Sequence, residues 1–193
     1  TADARYVDVA GDTMTGALAL PSGGFTVGTD QLAVDSSGRV TMPYQPAFNA
    51  YLISNPTANG YSSGGNYSAS NTGLGINSDT LILRHTKTNV GGSYSISTGI
   101  FTAPVAGSYF FGFAALPDTS QTSQANTHAE FILNGATGTD APEMYVTNTD
   151  VGVHGATISG TALFHLNVND TVRIKYNGGM HHRYTSFSGH LIG

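Results

Sequence analysis

Helical periodicity is almost absent from this chain. Short runs rich in Val, Ile, Thr, Tyr and Phe recur instead between clusters of Gly, Asn, Ser and Asp, the pattern of strands separated by turns. It predicts strands at about 46–54, 73–77, 80–88, 94–103, 107–116, 127–133, 142–149, 155–167, 171–177 and 184–192. Ten strands at a spacing of roughly 8–12 residues fit a two-sheet sandwich or jelly roll. Twenty-five glycines, scattered without a period, read as turn punctuation. The expected fold class is all-β, a ten-stranded two-sheet jelly-roll sandwich over residues 45–193.

Residues 1–44 read differently. ARYVDVAGDTMTGALAL precedes two short alternating segments, FTVG and QLAVDSSGRVTMP. The second carries a turn signal at Asp35-Ser36-Ser37-Gly38, and Pro43 closes it. Too few apolar residues face any one side to build a core within one chain. The expectation is a short fibrous β segment that is stable only when intertwined with sister chains, as a homotrimer.

Composition sharpens this picture. The hydrophobic fraction, 39%, suffices for a core, but only 10% of residues are charged, where about 25% is usual for a soluble domain. Ser, Thr, Asn, Gly and Tyr must cover the surface, which suits association with other chains or with sugars. The formal net charge is −5, and Arg84, His85 and Lys87 form the densest basic cluster. Phosphate-backbone binding needs several convergent Lys and Arg, so nucleic acid is not an expected partner. With no cysteine, disulfides and thiolate metal sites are excluded. The longest apolar run, around 109–116, is far too short for a membrane span, and no membrane insertion is expected.

The most informative stretch is GGSYSISTGIFTAPVAGSYFFGFAAL, residues 91–116. Gly99 permits a tight turn, and Pro104 lacks an amide donor and marks a sheet edge. Beyond it, Tyr109, Phe111 and Phe113 point to one face of a strand and Phe110 to the other. Such a strand needs cover on both faces, one from the partner sheet and the other from a neighbouring subunit. Tyr109, Phe111, Phe113, Phe164 and Phe187 are therefore read as core or trimer-interface residues rather than as a ligand pocket.

In its order of residues this stretch resembles the globular head of complement C1q, a tumour-necrosis-factor-like jelly roll. The matching residues are Tyr94, then Thr98-Gly99-Ile100-Phe101-Thr102-Ala103-Pro104, then Gly107-Ser108-Tyr109-Phe110-Phe111. PAFNAY (46–51), AEFILNG (129–135), ISGTALFHLNVNDTV (158–172) and TSFSGHLIG (185–193) add further anchors in order. Two departures stand out: Asn169 replaces the usual Gly before Asp170, and His190 sits where an apolar residue is common. No collagen-like stem precedes the head. GDTMTGALAL (11–20) after DARYV (3–7) resembles repeats of bacteriophage tail fibres and related virion fibres instead.

The resemblance implies a threefold trimer of non-enzymatic heads at the tip of a virion fibre, binding a host-surface glycan or protein receptor. Other tail proteins would be held through the N-terminal segment, and the chain would be located in the virion. A purely structural fibre, a neck whisker, baseplate or capsid fibre whose head caps and trimerises the shaft, is the alternative. If the last strand runs toward the base, strand parity puts the loops 117–126, 149–155 and 177–184 at the tip. Asp118, Gln121, Asp150, His154, Met180, His181, His182, Arg183 and Tyr184 then form the candidate receptor site, since such groups hydrogen-bond sugar hydroxyls and Tyr and His stack on sugar rings. Ordinary polar loops are the competing reading.

No cofactor is expected. His181-His182 beside Met180 could hold a transition metal on a trimer axis, and Asp118 and Asp150 could hold calcium at the tip, but no carboxylate-rich calcium loop is present. His165 and His190 fall in strands expected to line the trimer interface. No GxSxG, HExxH or paired-carboxylate signature marks a catalytic site, and no catalytic residue is assigned.

Overall fold

The computed structural model describes residues 25–27, 32–34, 36–52, 66–67, 76–77, 80–116, 127–135, 144–148, 157–177, 180–181 and 184–193. The chain divides into two compact units, Thr1–Pro43 and Tyr44–Gly193. In the first, β1 (Phe25–Val27), β2 (Leu32–Val34) and β3 (Val40–Thr41) form an antiparallel sheet in that order. The turn between β2 and β3 contains Gly38 at φ 78°, the left-handed geometry that its sequence signalled. Val40 and Met42 remain exposed. The expected segments at 3–7 and 11–20 lie outside the described residues.

The second unit holds the other strands: β4 (Ala47–Tyr51), β5 (Asn66–Tyr67), β6 (Ile76–Asn77), β7 (Thr80–Leu81), β8 (His85–Val90), β9 (Ile100–Thr102) and β10 (Gly107–Ala115). β11 (Thr127–Leu133), β12 (Met144–Asn148), β13 (Ile158–Leu166), β14 (Thr171–Asn177), β15 (Met180–His181) and β16 (Ser186–Leu191) follow. A five-stranded sheet runs β13-β10-β16-β4-β8, and a six-stranded one runs β12-β11-β14-β7-β6 with β9 also on β14. β5 and β15 make a small ladder of their own. All these pairings are antiparallel. The unit is an all-β, jelly-roll-like double sheet.

Two expected strands are corrected. The stretch 94–103 is a hairpin: Tyr94 bridges Phe101 across a turn, and the Gly99 amide donates to the Ser95 carbonyl at 2.8 Å. Gly99 has φ +74°, and a Cβ there would strike the Leu81 carbonyl oxygen, so both the turn and the close approach require glycine. Pro104 lies in the connection between β9 and β10 rather than in a sheet edge. The stretch 80–88 is cut in two, because Leu81, Ile82 and Leu83 are all buried in succession. That run carries the chain from one sheet to the other, β7 and β8 lying on either side of it.

Between the sheets, alternating strand residues interlock. β10 supplies Tyr109, Phe111 and Phe113, β16 supplies Phe187, and β14 supplies Val172, Ile174 and Tyr176. Phe48 stacks on Tyr94 at a centroid distance of 4.9 Å, Phe101 meets Phe111 edge-on at 5.3 Å, and Phe113 meets Tyr176 at 6.2 Å. Such aromatic pairs add about 0.5–1.5 kcal/mol each beyond their burial. Tyr94 also keeps its polar tip satisfied: its hydroxyl accepts from the Leu83 amide at 3.1 Å and donates to the Leu83 carbonyl at 3.2 Å. Burial pushes the Tyr94 phenol up to about 12, against the opposing pull of its bond to Leu83.

The turn from β13 to β14 is built around Asp170. Its carboxylate accepts from the Asn167 amide at 2.7 Å and from Asn134 Nδ2 at 2.9 Å. The Asn134 side-chain oxygen in turn accepts from the Thr171 amide at 2.7 Å. These bonds, led by that from the Asn167 backbone, hold the Asp170 carboxyl below its ordinary value. Asn169 has φ +71°; Asn tolerates this region better than other non-glycine residues, which explains how it replaces the usual Gly.

Candidate functional site

The five-stranded sheet has one face in the core and the other outside. The ladder registers set the outer face in rows. One row runs Val90, Ala47, His190, Phe110, Leu163; the next Thr88, Asn49, Ser188, Gly112, Thr161; the third His85, Tyr51, Ser186, Ala114, Ser159. Before the first row, Ser108 lies opposite His165, with Oγ 3.5 Å from the imidazole Nδ1. Phe110 is 37% exposed, Leu163 63% and the adjoining Ile192 54%. The His190 ring lies against Phe110, with centroids 5.7 Å apart. Small and hydroxyl-bearing residues of the lower rows, Gly112, Ala114, Ser159, Thr161, Ser186 and Ser188, line a shallow groove of about 470 Å³.

Charge is distributed unequally between the two sheets. In the five strands of this sheet Lys87 is the single Asp, Glu, Lys or Arg. It lies on the edge strand, next to the irregularity that sets β8 against β4, with its ammonium 5.7 Å from the centre of the Tyr51 ring. The outward side of the other sheet is ionic: Lys175 reaches buried Glu130 at 3.1 Å, and Arg173 Nη1 donates to Thr80 Oγ1 at 2.9 Å. Water solvates the ionic face and the hydroxyl-bearing rows readily and the patch of Phe110, Leu163 and Ile192 poorly. An exposed apolar patch of this kind is a candidate interaction surface.

Strand directions fix the ends of the unit. The chain enters at Pro46, whose carbonyl accepts from the Leu191 amide at 3.0 Å, so entry and exit share one end. The Asp170 turn lies at that end too, since Leu166 pairs with Gly107 and Thr171 with Thr102. Ala115, Thr127, Asn148, Ile158, Asn177 and Ser186 lie at the opposite end.

Of the candidate receptor residues, Asp118, Gln121, Asp150, His154, His182 and Arg183 lie outside the described residues. Met180 and His181 are described through their backbone, which pairs with Tyr67 and Asn66. Tyr184 is 59% exposed. The aromatic set falls on the core side: Tyr109, Phe111, Phe113 and Phe187 are buried between the sheets, and Phe164 is partly buried 6.0 Å from Phe111. Among the described residues no group of three metal-ligating side chains occurs, and no helix is long and apolar enough to cross a membrane. Sequence reasoning missed Leu163 and the serine-lined groove. The signal was parity: residues opposite in phase to Tyr109 on β10 share the face of Phe110.

Two antiparallel sheets closing on an aromatic core make this unit an all-β double sheet of jelly-roll type. The C1q domain family matches residues 67–192, and the chain belongs to it. Among solved structures, the globular domain of a zebrafish complement 1qA protein is similar over 77% of this chain and 98% of its own, with a TM-score of 0.55 and 20% identity. An Eiger TNF from S. frugiperda covers 77% of the chain and 93% of its own, with a TM-score of 0.49 and 10% identity. Murine APRIL covers 77% and 99%, with a TM-score of 0.48 and 10% identity. Domains of this type are generally trimeric and bind receptors or ligands without enzymatic activity.

Proposed function

We propose that this chain is a non-enzymatic trimeric fibre protein of a virion, whose C1q-type head attaches to a host-surface receptor, a glycan by preference. The observation that carries the reading is the outer face of the five-stranded sheet. It exposes Phe110, Leu163 and Ile192 and, away from its Lys87 edge, carries no ionised Asp, Glu, Lys or Arg. Three copies sharing this face would bury the patch, and obligate interfaces of roughly 2,000–5,000 Å² are apolar in this way. The uncharged edge strand β13 adds support, because exposed edges usually carry charge or proline to prevent pairing. A phage-fibre-like segment at 3–20 supplies the virion context. The polar residues of 117–126, 149–155 and 177–184 supply the receptor site, as loops on a rigid scaffold commonly do. Three heads on one axis would engage a receptor-bearing surface together, so weak single sites suffice.

Sedimentation equilibrium on the whole chain tests the assembly, with three copies expected for the native sequence and dissociation for Leu163→Glu. Binding of labelled protein to candidate bacterial cells and to a glycan array tests attachment. Loss of cell binding in His182→Ala or Arg183→Ala trimers supports the receptor role. A trimer that binds no cell or glycan supports a purely structural fibre instead, and a folded single copy refutes the reading.

A further inference from the structure

We infer that the proposed self-association surface is acid-labile, with His190 as the group that senses pH and His165 as its accessory. The inference rests on the trimeric reading above and adds its regulation. His190 occupies the middle of the apolar row, flanked across the ladder by Ala47 and Phe110, with Val90 and Leu163 at the ends. Exposed in the single chain, it becomes enclosed when a second copy covers Phe110 and Leu163. A neutral imidazole fits such a place; an imidazolium needs a counter-charge.

No Asp or Glu side chain lies on this face among the described residues, and the Gly193 carboxyl group beside Ser108 accepts from the Ser108 amide at 2.7 Å. From β10 the neighbours are Ser108, Phe110 and Gly112; from β4 they are Ala47 and Asn49, with Tyr51 a further row away. β13 contributes His165, and β8 contributes His85 and Lys87, both cationic or potentially so. Asp170, at the β13–β14 turn, is held by Asn167 and Asn134. Protonation therefore adds like charge to an apolar row, and threefold symmetry repeats it in every copy. Histidine is the side chain that ordinarily changes charge between about pH 5 and 8.

The sign follows from enclosure. Covering the imidazole disfavours its charged form, so the assembly binds fewer protons than the separated chains. Association is then full at neutral pH and weakens as pH falls. For a generic imidazole kept neutral in the assembly, the loss between pH 7.5 and 5 is about thirtyfold per copy, or on the order of 10⁴-fold for three copies of His190.

The test is sedimentation of the whole chain at pH 7.5 and 5.0, for the native sequence, His190→Gln, His165→Gln and, as a control three rows from His165, His85→Gln. The native trimer should dissociate at pH 5 and re-form at pH 7.5. His190→Gln should hold together in acid, His165→Gln should be intermediate, and His85→Gln should behave as native. A native trimer equally tight at both pH values overturns the inference while leaving the trimeric reading intact. A single copy already present at pH 7.5 overturns both. Should His190→Gln fail to assemble, the native protein still decides. The NMR titration midpoint of His190 must fall as protein concentration rises, and a midpoint independent of concentration overturns the proposal.

Discussion

Replacing Tyr94 by Phe deletes one oxygen from the centre of the head and nothing else. The ring keeps its stacking on Phe48, so neither a cavity nor lost apolar contact enters. What is lost are two bonds to Leu83, which is wholly buried: the amide loses its acceptor at 3.1 Å and the carbonyl loses a donor at 3.2 Å. A buried amide left without an acceptor costs about 1–3 kcal/mol, and the loss of the donor to the carbonyl adds to it, giving about 2–4 kcal/mol in all. For a unit of this size that is a melting point lower by roughly 5–15 °C. The pH arm carries a sign of its own. Because burial raises the phenol from 10.0 to about 12, its contribution is complete below pH 10 and is lost as pH rises through 12. That contribution amounts to about 3 kcal/mol. Urea unfolding between pH 7 and 12 should show a steeper alkaline loss in the native chain than in the variant. Tyr109, raised in the same direction by burial, leaves a residual slope in both. A variant within about 0.5 kcal/mol of native at pH 7, or with the native alkaline slope, refutes the structural role given to this hydroxyl.

Gly189→Ala places a methyl 2.5 Å from Phe111 Cδ1 and 2.7 Å from Phe48 Cε1; the expected cost is about 1–3 kcal/mol of overpacking, and an unchanged urea midpoint contradicts it. Asp170→Asn removes a carboxylate whose folded value lies below 3.8. Its stabilisation is present above that pH and lost as acid protonates it, so the native chain should lose stability on titration from pH 5 to 2 more steeply than the variant. Parallel acid profiles would dismiss the turn's dependence on charge. Phe111→Glu buries a carboxylate in the aromatic core and should give insoluble chain; a soluble, cooperatively folded product would show the core wrongly placed.

The alternation over 107–115 was legible because a strand's period of two assigns each residue to a face without further information. β10 is continuous, and Phe110 duly emerges opposite to Tyr109, Phe111 and Phe113. The reading of 94–103 and 80–88 as single strands failed for a related reason. Leu81, Ile82 and Leu83 are buried in succession, which no half-buried strand permits, and Gly99, five residues after Tyr94, turns the chain back so that Phe101 bridges Tyr94. The stretch 80–88 crosses between sheets and 94–103 turns back as a hairpin, and in both tertiary packing overrides the local pattern. The outer-face row was harder to see. Val90, Ala47, His190, Phe110 and Leu163 come from five strands scattered over more than a hundred positions, and only the ladder registers bring them into one row.

That row also bears on the low charge of the chain as a whole. A domain with few ionised groups can either thin them evenly or withdraw them from one side. Here Glu130, Arg173 and Lys175 gather on the outward side of the six-stranded sheet. Of the opposite sheet's strands, only edge strand β8 carries an ionised group. Even thinning would leave every face moderately soluble and none suited to self-association. Withdrawal leaves one face without ionised groups, and on the proposed trimeric reading a like face covers its apolar row without stranding a charge. His190 is then the exception that needs a reason, for Val or Leu at that place would bind more tightly. On the proposed trimeric reading, an ionisable residue at the centre of such a row trades tightness for an association that responds to acid.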